Sequence, residues 1–319
     1  MGRPFSFSGI VSFCGSGIRI VYTRRMRWMF LVAAVLAAPL APEQRTGPVG
    51  VDFQNVHVHV APGVVMEVRH LQGALVSNTA GAPPNFDDVR SYKLRIDAGE
   101  IAMSPESLTT LLRDHVFNYK GAPISDITVT LEDGHLKQSG TLHKGVPIAF
   151  TILGDLSVTP DGRIRVHPAS VKAAGVPASR LMKLFHVELG DLVKSDRARG
   201  FETVDDDLLL APDRLLPDPR IAGHLTAVRI DGGRIVQMFG HAPSAPAGSV
   251  RNYMHYRGNV LRFGRLTMHD TDLELIDEDQ KDPFDFSPTG YVKQLVAGYS
   301  KNAPDGSLRV YMPDLDNVR

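Results

Sequence analysis

From Val51 onward apolar and polar residues alternate, and this period of two constrains the fold more than any other feature of the chain. A strand sends successive side chains to opposite faces, so such a run buries one face and wets the other. Val56, Val58 and Val60 point one way, His57 and His59 the other. The pattern returns at Tyr92, Leu94 and Ile96, at Ile127, Val129 and Leu131, and at Val146, Ile148, Phe150 and Ile152. Between these runs lie Asp133-Gly134, Lys144-Gly145 and Asp161-Gly162, whose glycines can take positive φ and reverse the chain into an antiparallel neighbour. Ile124 to Val166 therefore reads as a meander, and the fold class as α+β and β-rich.

Helices are few. Ser104 before Pro105 makes an N-cap with proline at the first helical position, and Leu108, Leu111, Leu112 and Val116 then share one face. A second helix is expected from Pro177 to about Leu192, with Leu181, Leu184, Phe185 and Leu189 as its stripe. A third opens at Ser287-Pro288 and carries Tyr291, Val292, Leu295 and Tyr299. Each stripe is expected to face the core. The proline-rich stretch Ala211 to Pro219 breaks both periods and marks a boundary. The expected segments are a leader at 1–41, a sheet and helix domain at 42–212, and a β-rich segment at 213–319 with a C-terminal helix. That last segment either continues the first sheet or folds separately.

Arg24-Arg25-Met26-Arg27 followed by the apolar run Trp28 to Ala41 has the basic head, apolar centre and small-residue end of an export signal. The run falls short of the roughly 20 residues that span a bilayer, so a cleaved signal is expected, and an uncleaved anchor is the alternative. The expected location is the periplasm or cell envelope. The single cysteine, Cys14, follows Phe13 rather than a small residue, which argues against lipidation. Without it the mature chain has neither disulfide nor thiolate chemistry. Lysine plus arginine and aspartate plus glutamate number 35 each and are mixed along the chain, so no nucleic-acid partner is expected.

Candidate chemistry is sparse. His57-Val58-His59 puts two imidazoles on one strand face, where they could share a metal, but no further ligands follow at the spacing of a metal-dependent barrel, so the pair reads as a wet strand surface. Asp270, Asp272, Glu274, Asp277, Glu278 and Asp279 could recruit a hard cation. Counting from Asp270, the sixth position is Leu275 rather than glycine and the twelfth is Lys281 rather than glutamate, so a solvated turn is expected. No Gly-x-Ser-x-Gly elbow, phosphate loop, dinucleotide fingerprint or His-Glu-x-x-His helix occurs. No catalytic residue, metal or cofactor is expected. Around the helix at 177–192, Lys172, Arg180 and Lys183 flank Met182 and Phe185, which suits an anionic membrane surface. Glu188 and Asp191 cancel that charge, so packing on the sheet is the first reading and membrane contact the second.

An exported chain, an amphipathic helix, the run Ile124-Ser-Asp-Ile-Thr-Val-Thr-Leu-Glu-Asp-Gly, the meander through Pro160-Asp-Gly-Arg-Ile-Arg-Val-His-Pro and the helix at 177–192 follow in that order. Over roughly residues 100 to 240 this resembles the LmeA-type phospholipid-binding proteins of bacterial envelopes, within the tubular lipid-binding superfamily. The resemblance implies a long, curved antiparallel sheet wrapped around one or two amphipathic helices, with acyl chains held in the apolar tunnel between them. The lining expected here is Leu108, Leu112 and Val116 from the helix with Ile127, Val129, Leu131, Ile148, Phe150 and Ile152 from the strands. The same residues would equally fill a closed core. The leading expectation is a non-enzymatic carrier of a lipid or other amphiphile. The alternatives are an envelope module that pairs through its strand edges, and a hydrolase of envelope polymers using carboxylates such as Asp205, Asp206, Asp270 or Asp272, two of them about 5–9.5 Å apart.

Overall fold

The computed structural model describes residues 47–144, 146–173, 200–205, 207–242 and 250–318. The leader and the helix expected at 177–192 lie outside the described residues. Strands β1 (Val49–Ala61), β2 (Val64–Ser77) and β3 (Tyr92–Met103) open the fold as an antiparallel meander. Helix α1 (Pro105–Thr110) follows and continues as a π-helical turn, Leu111–Val116. A second meander comprises β4 (Ile124–Glu132), β5 (His135–Lys144), β6 (Val146–Val158) and β7 (Ile164–Ala173), extended by β8 (Phe201–Val204) and β9 (Asp207–Leu210). After α2 (Pro212–Leu215) come β10 (Arg220–Gly223), β11 (Leu225–Asp231) and β12 (Arg234–Gly240). The remainder is β13 (Tyr253–Arg257), the hairpin β14 (Leu261–Phe263) and β15 (Leu266–Met268), β16 (Asp272–Asp277), β17 (Phe284–Phe286), α3 (Tyr291–Ala297), β18 (Tyr299–Asn302) and β19 (Leu308–Met312).

These strands form two main sheets. The large sheet has the order β11-β12-β3-β2-β1-β13-β16-β19-β18, with β10 also beside β3 and β17 also beside β1. Most of its pairs are antiparallel, while β10 with β3, β17 with β1 and β16 with β19 are parallel. The small sheet has the order β4-β5-β6-β7-β9-β8. Apart from the β14–β15 hairpin, the strands of 213–319 thus join β1–β3 in one sheet, and the small sheet is inserted between β3 and β10. Residues Arg45–Arg319 form one compact unit.

The alternation read from the sequence gives β1, but its phase changes midway. Val49, Val51 and Phe53 are buried, then Val56, Val58 and Val60. The switch falls at Asn55, whose φ of 52° is left-handed, a conformation that asparagine tolerates better than most residues. The neighbour on that edge changes at the same place, because β13 pairs with Gly50–Gln54 and β17 with Val56–Val58. The Asp133-Gly134 turn joins β4 to β5 with φ values of 51° and 81°, the signature of a tight hairpin reversal.

The buried face of the large sheet forms a dense core. Val49, Val56, Leu71, Leu273 and Phe284 are fully buried there. Phe86, from the β2–β3 connection, contacts the rings of Tyr92, Tyr256, Phe263, Phe286 and Tyr291 at centroid distances of 4.9–6.5 Å. The third expected helix is shorter than its apolar stripe. Tyr291 is buried, but Val292 and Val296 are exposed, and Tyr299 already belongs to β18. Gly298 ends the helix where a Cβ would meet Tyr311 O at 2.0 Å, so only glycine lets the chain pass into the strand. Val146, expected on the inner face of β6, is also exposed, because it sits at the hairpin end opposite Lys144.

Candidate functional site

Helix α1 is placed by its cap and by one hydroxyl. Ser104 Oγ accepts from Ser107 N at 3.1 Å, and Pro105 fills the first helical position, where no amide hydrogen is needed. Thr109 Oγ1 donates to Pro105 O at 2.8 Å and accepts from Val129 N at 2.8 Å, fastening the helix to β4. The π-helical turn that follows buries Leu111, Leu112 and Val116.

All nine residues expected to line an apolar site belong to, or pack against, the hydrophobic core that runs through both sheets. The register explains why they share a face. Ile124 pairs with Leu142 and Leu142 with Ile148, while Val129 lies opposite Gln138, which faces Ile152, which in turn pairs with Val171. Leu112, Val116, Ile127, Val129 and Phe150 are buried; Leu108, Leu131, Ile148 and Ile152 are half-buried. Phe117 closes the helix end of this face against Phe201, ring to ring at 5.4 Å.

Two cavities bear on what the molecule can hold. One, of about 40 Å³, lies under the large sheet between Phe53, Met66, Phe86, Tyr92, Met254 and Tyr256. None of the nine residues lines it, and it has room for about one water, whose share of liquid volume is about 30 Å³. The other is an open polar recess of about 500 Å³ at the far end of the small sheet, bordered by Asp161, Arg163, Phe201, Glu202, Asp213 and Arg214. Arg163 is engaged there, with its guanidinium 2.7 Å from both Asp161 and Glu202.

The ionisable groups gather elsewhere, around β17. His59 Nε2 stands 2.8 Å and His57 Nδ1 3.4 Å from the same oxygen of Asp285. Burial works against the Asp285 carboxylate, yet the hydrogen bonds of both imidazoles outweigh it and hold the group well below the usual carboxylate range. The Asp285 contact raises His57 against the opposing effect of burial. Beyond β17, oxygens of Asp277, Asp282 and Asp314 lie within 4.8 Å of one another. Asp277 is 1% exposed, and burial pushes it up to about 6, with Asp314 and Asp282 adding repulsion. Burial likewise raises Asp314. An all-oxygen group of this kind can share a proton or hold a hard cation. Asp277 also accepts from Asn252 Nδ2 at 3.0 Å and from Asp279 N at 2.9 Å.

The sequence singles out His57, His59 and Asp277 but not Asp285 as their partner, nor Asp314 as a member of the acidic group. The only available signal was the run of aspartates ending at Asp285, since parallel pairing leaves no local turn motif. Of the carboxylates considered for hydrolysis, Asp270 and Asp272 stay together at the start of β16, and Asp205 lies on the other sheet. Asp205 stands at the β8–β9 turn of the small sheet, and Asp272 on the large sheet is engaged by His255 at 2.7 Å. Asp206 lies outside the described residues.

No family model, no curated protein and no solved structure matches this chain.

Proposed function

We propose that the protein is a non-enzymatic, exported envelope protein that binds a lipid or similar amphiphile along the apolar face shared by α1, its π-helical extension and the small sheet. In this reading the small sheet curves around the helix. The observation that supports it is the half-burial of Leu108, Leu131, Ile148 and Ile152 beside fully buried neighbours of the same face. An aliphatic chain laid there removes the remaining apolar surface from water, and each methylene covered contributes about 0.8 kcal/mol. The cavity under the large sheet is too small to serve, since one water-sized space does not admit a chain of many methylenes.

Native mass spectrometry of protein purified without detergent, followed by organic extraction, tests this directly. A stoichiometric amphiphile adduct that is lost in Ile152→Asp supports the reading. A protein free of adduct that takes up no fluorescent fatty acid refutes it.

A second reading, an envelope module that joins a partner through a strand edge, draws on β18. All four of its residues, Tyr299 among them, are exposed at the end of the large sheet, with Val296 of α3 exposed nearby in sequence. Unpaired edges recruit further strands, although Lys301 over the stacked rings of Tyr299 and Tyr311 is a residue type that commonly guards such an edge.

A further inference from the structure

We infer that His57, His59 and Asp285 form a binding site for a divalent transition-metal ion of the zinc class. His57 and His59 are two apart on β1, so both imidazoles leave the same face of the strand, opposite the buried Val56, Val58 and Val60. The parallel register sets Asp285 of β17 directly beside His57. One Asp285 oxygen then lies 2.8 Å from His59 Nε2 and 3.4 Å from His57 Nδ1. Two donors bonded to one ion at about 2.0–2.1 Å in tetrahedral array stand roughly 3.3 Å apart; the His57 contact falls at that spacing, and the His59 contact, a hydrogen bond, is shorter and opens when an ion replaces its proton. Among the described residues only the three aspartates beyond β17 already converge within 4.8 Å, so loading the histidine site takes a rotation of one ring toward the other.

The backbone that carries Asp285 is held on both sides. Asp285 N donates to Asp314 Oδ1 at 2.8 Å, and Asp285 O accepts from the fully buried Gln294 Nε2 at 2.8 Å. These contacts fix the place of Asp285 along the strand, and the two imidazoles themselves orient its carboxylate. The three side chains remain partly exposed, at 31% for His57, 25% for His59 and 31% for Asp285, which leaves an ion a path in. Glu67, opposite His57 on β2, is engaged by Arg234 Nε at 2.6 Å and adds local negative charge without being needed as a ligand. Two imidazoles with one carboxylate favour zinc, cobalt or nickel over calcium or magnesium, which seek oxygen.

The test is a titration of the full chain with Co²⁺, followed by visible absorption, and with Zn²⁺, followed by calorimetry. One ion per chain is expected at this site, with affinity falling about tenfold or more in His57→Gln, His59→Gln and Asp285→Asn, and unchanged in Asp277→Asn. Both histidine variants alter a wet strand face and are expected to fold, so they decide the matter even if Asp285→Asn does not. A wild-type chain that takes up neither ion, or one whose affinity is the same in His59→Gln, overturns the assignment and leaves the cluster as a set of hydrogen bonds.

Discussion

The two sheets handle apolar surface differently. Beneath the large sheet, side chains from strands far apart in sequence meet at near-zero exposure, and Phe86 is inserted among five other rings. On the small sheet the face toward α1 is buried in its middle, at Val129 and Phe150, and only half-buried at Leu131, Ile148 and Ile152. A densely packed core supplies stability, and in the proposed reading the partly covered apolar face supplies the binding surface. One chain divides these tasks by inserting the second sheet into the first.

Mutations should separate the two regions sharply. Phe86→Ala removes a ring from the centre of the large-sheet core and should cost about 3–5 kcal/mol in urea unfolding; a loss below 1 kcal/mol would show that this core is not the stabilising one. Asp277 lies at the rim of the same core. Its carboxyl is held near 6 when folded, above an unfolded value of about 3.9. The folded state therefore keeps the proton longer, and stability is fullest below the unfolded value and declines as pH rises through about 6. Asp277→Asn should abolish that decline and stabilise the chain at pH 7 by on the order of 2 kcal/mol, read from unfolding curves between pH 4 and 8. On the small sheet, Thr109→Val leaves the Val129 amide without its acceptor and should cost about 1–2 kcal/mol. Equal amide exchange at Val129 in mutant and wild type would contradict it. The smallest change in stability, about 1 kcal/mol, is expected for Ile152→Ala. That variant should nevertheless lower fluorescent fatty-acid uptake, whereas Phe86→Ala protein that remains folded should not.

Much of the small sheet was legible in the sequence because it is written locally, whereas its separation from β1–β3 was not, since 42–212 read as one sheet and helix domain. Alternation and Asp-Gly turns gave the meander of β4 to β7, and Ser104-Pro105 gave the start of α1. The face shared by Val129, Phe150 and Ile152 follows from the period of two once the strands are paired. What escaped was the non-local part. A left-handed residue at Asn55 changes the buried face of β1 without any glycine to announce it. Strands β10 and β17 are four and three residues long and pair in parallel, so they carry neither a hairpin turn nor enough alternation to be seen. The meeting of His57 with Asp285 depends on one of them.

Strand β1 lies inside the large sheet, and one of its neighbours is β13, so that Gln54 pairs with Tyr253. A chain emerging from its N-terminus has β1, β2 and β3 long before it has β13. Through that interval β1 presents a bare hydrogen-bonding edge and an uncovered row of valines, the state most prone to aggregation and the contacts slowest to form. The small sheet, with most of its pairings between consecutive strands, can assemble meanwhile. The topology thus sets an order of events: the region proposed to bind matures early, and the region that stabilises the molecule closes last, requiring protection until it does.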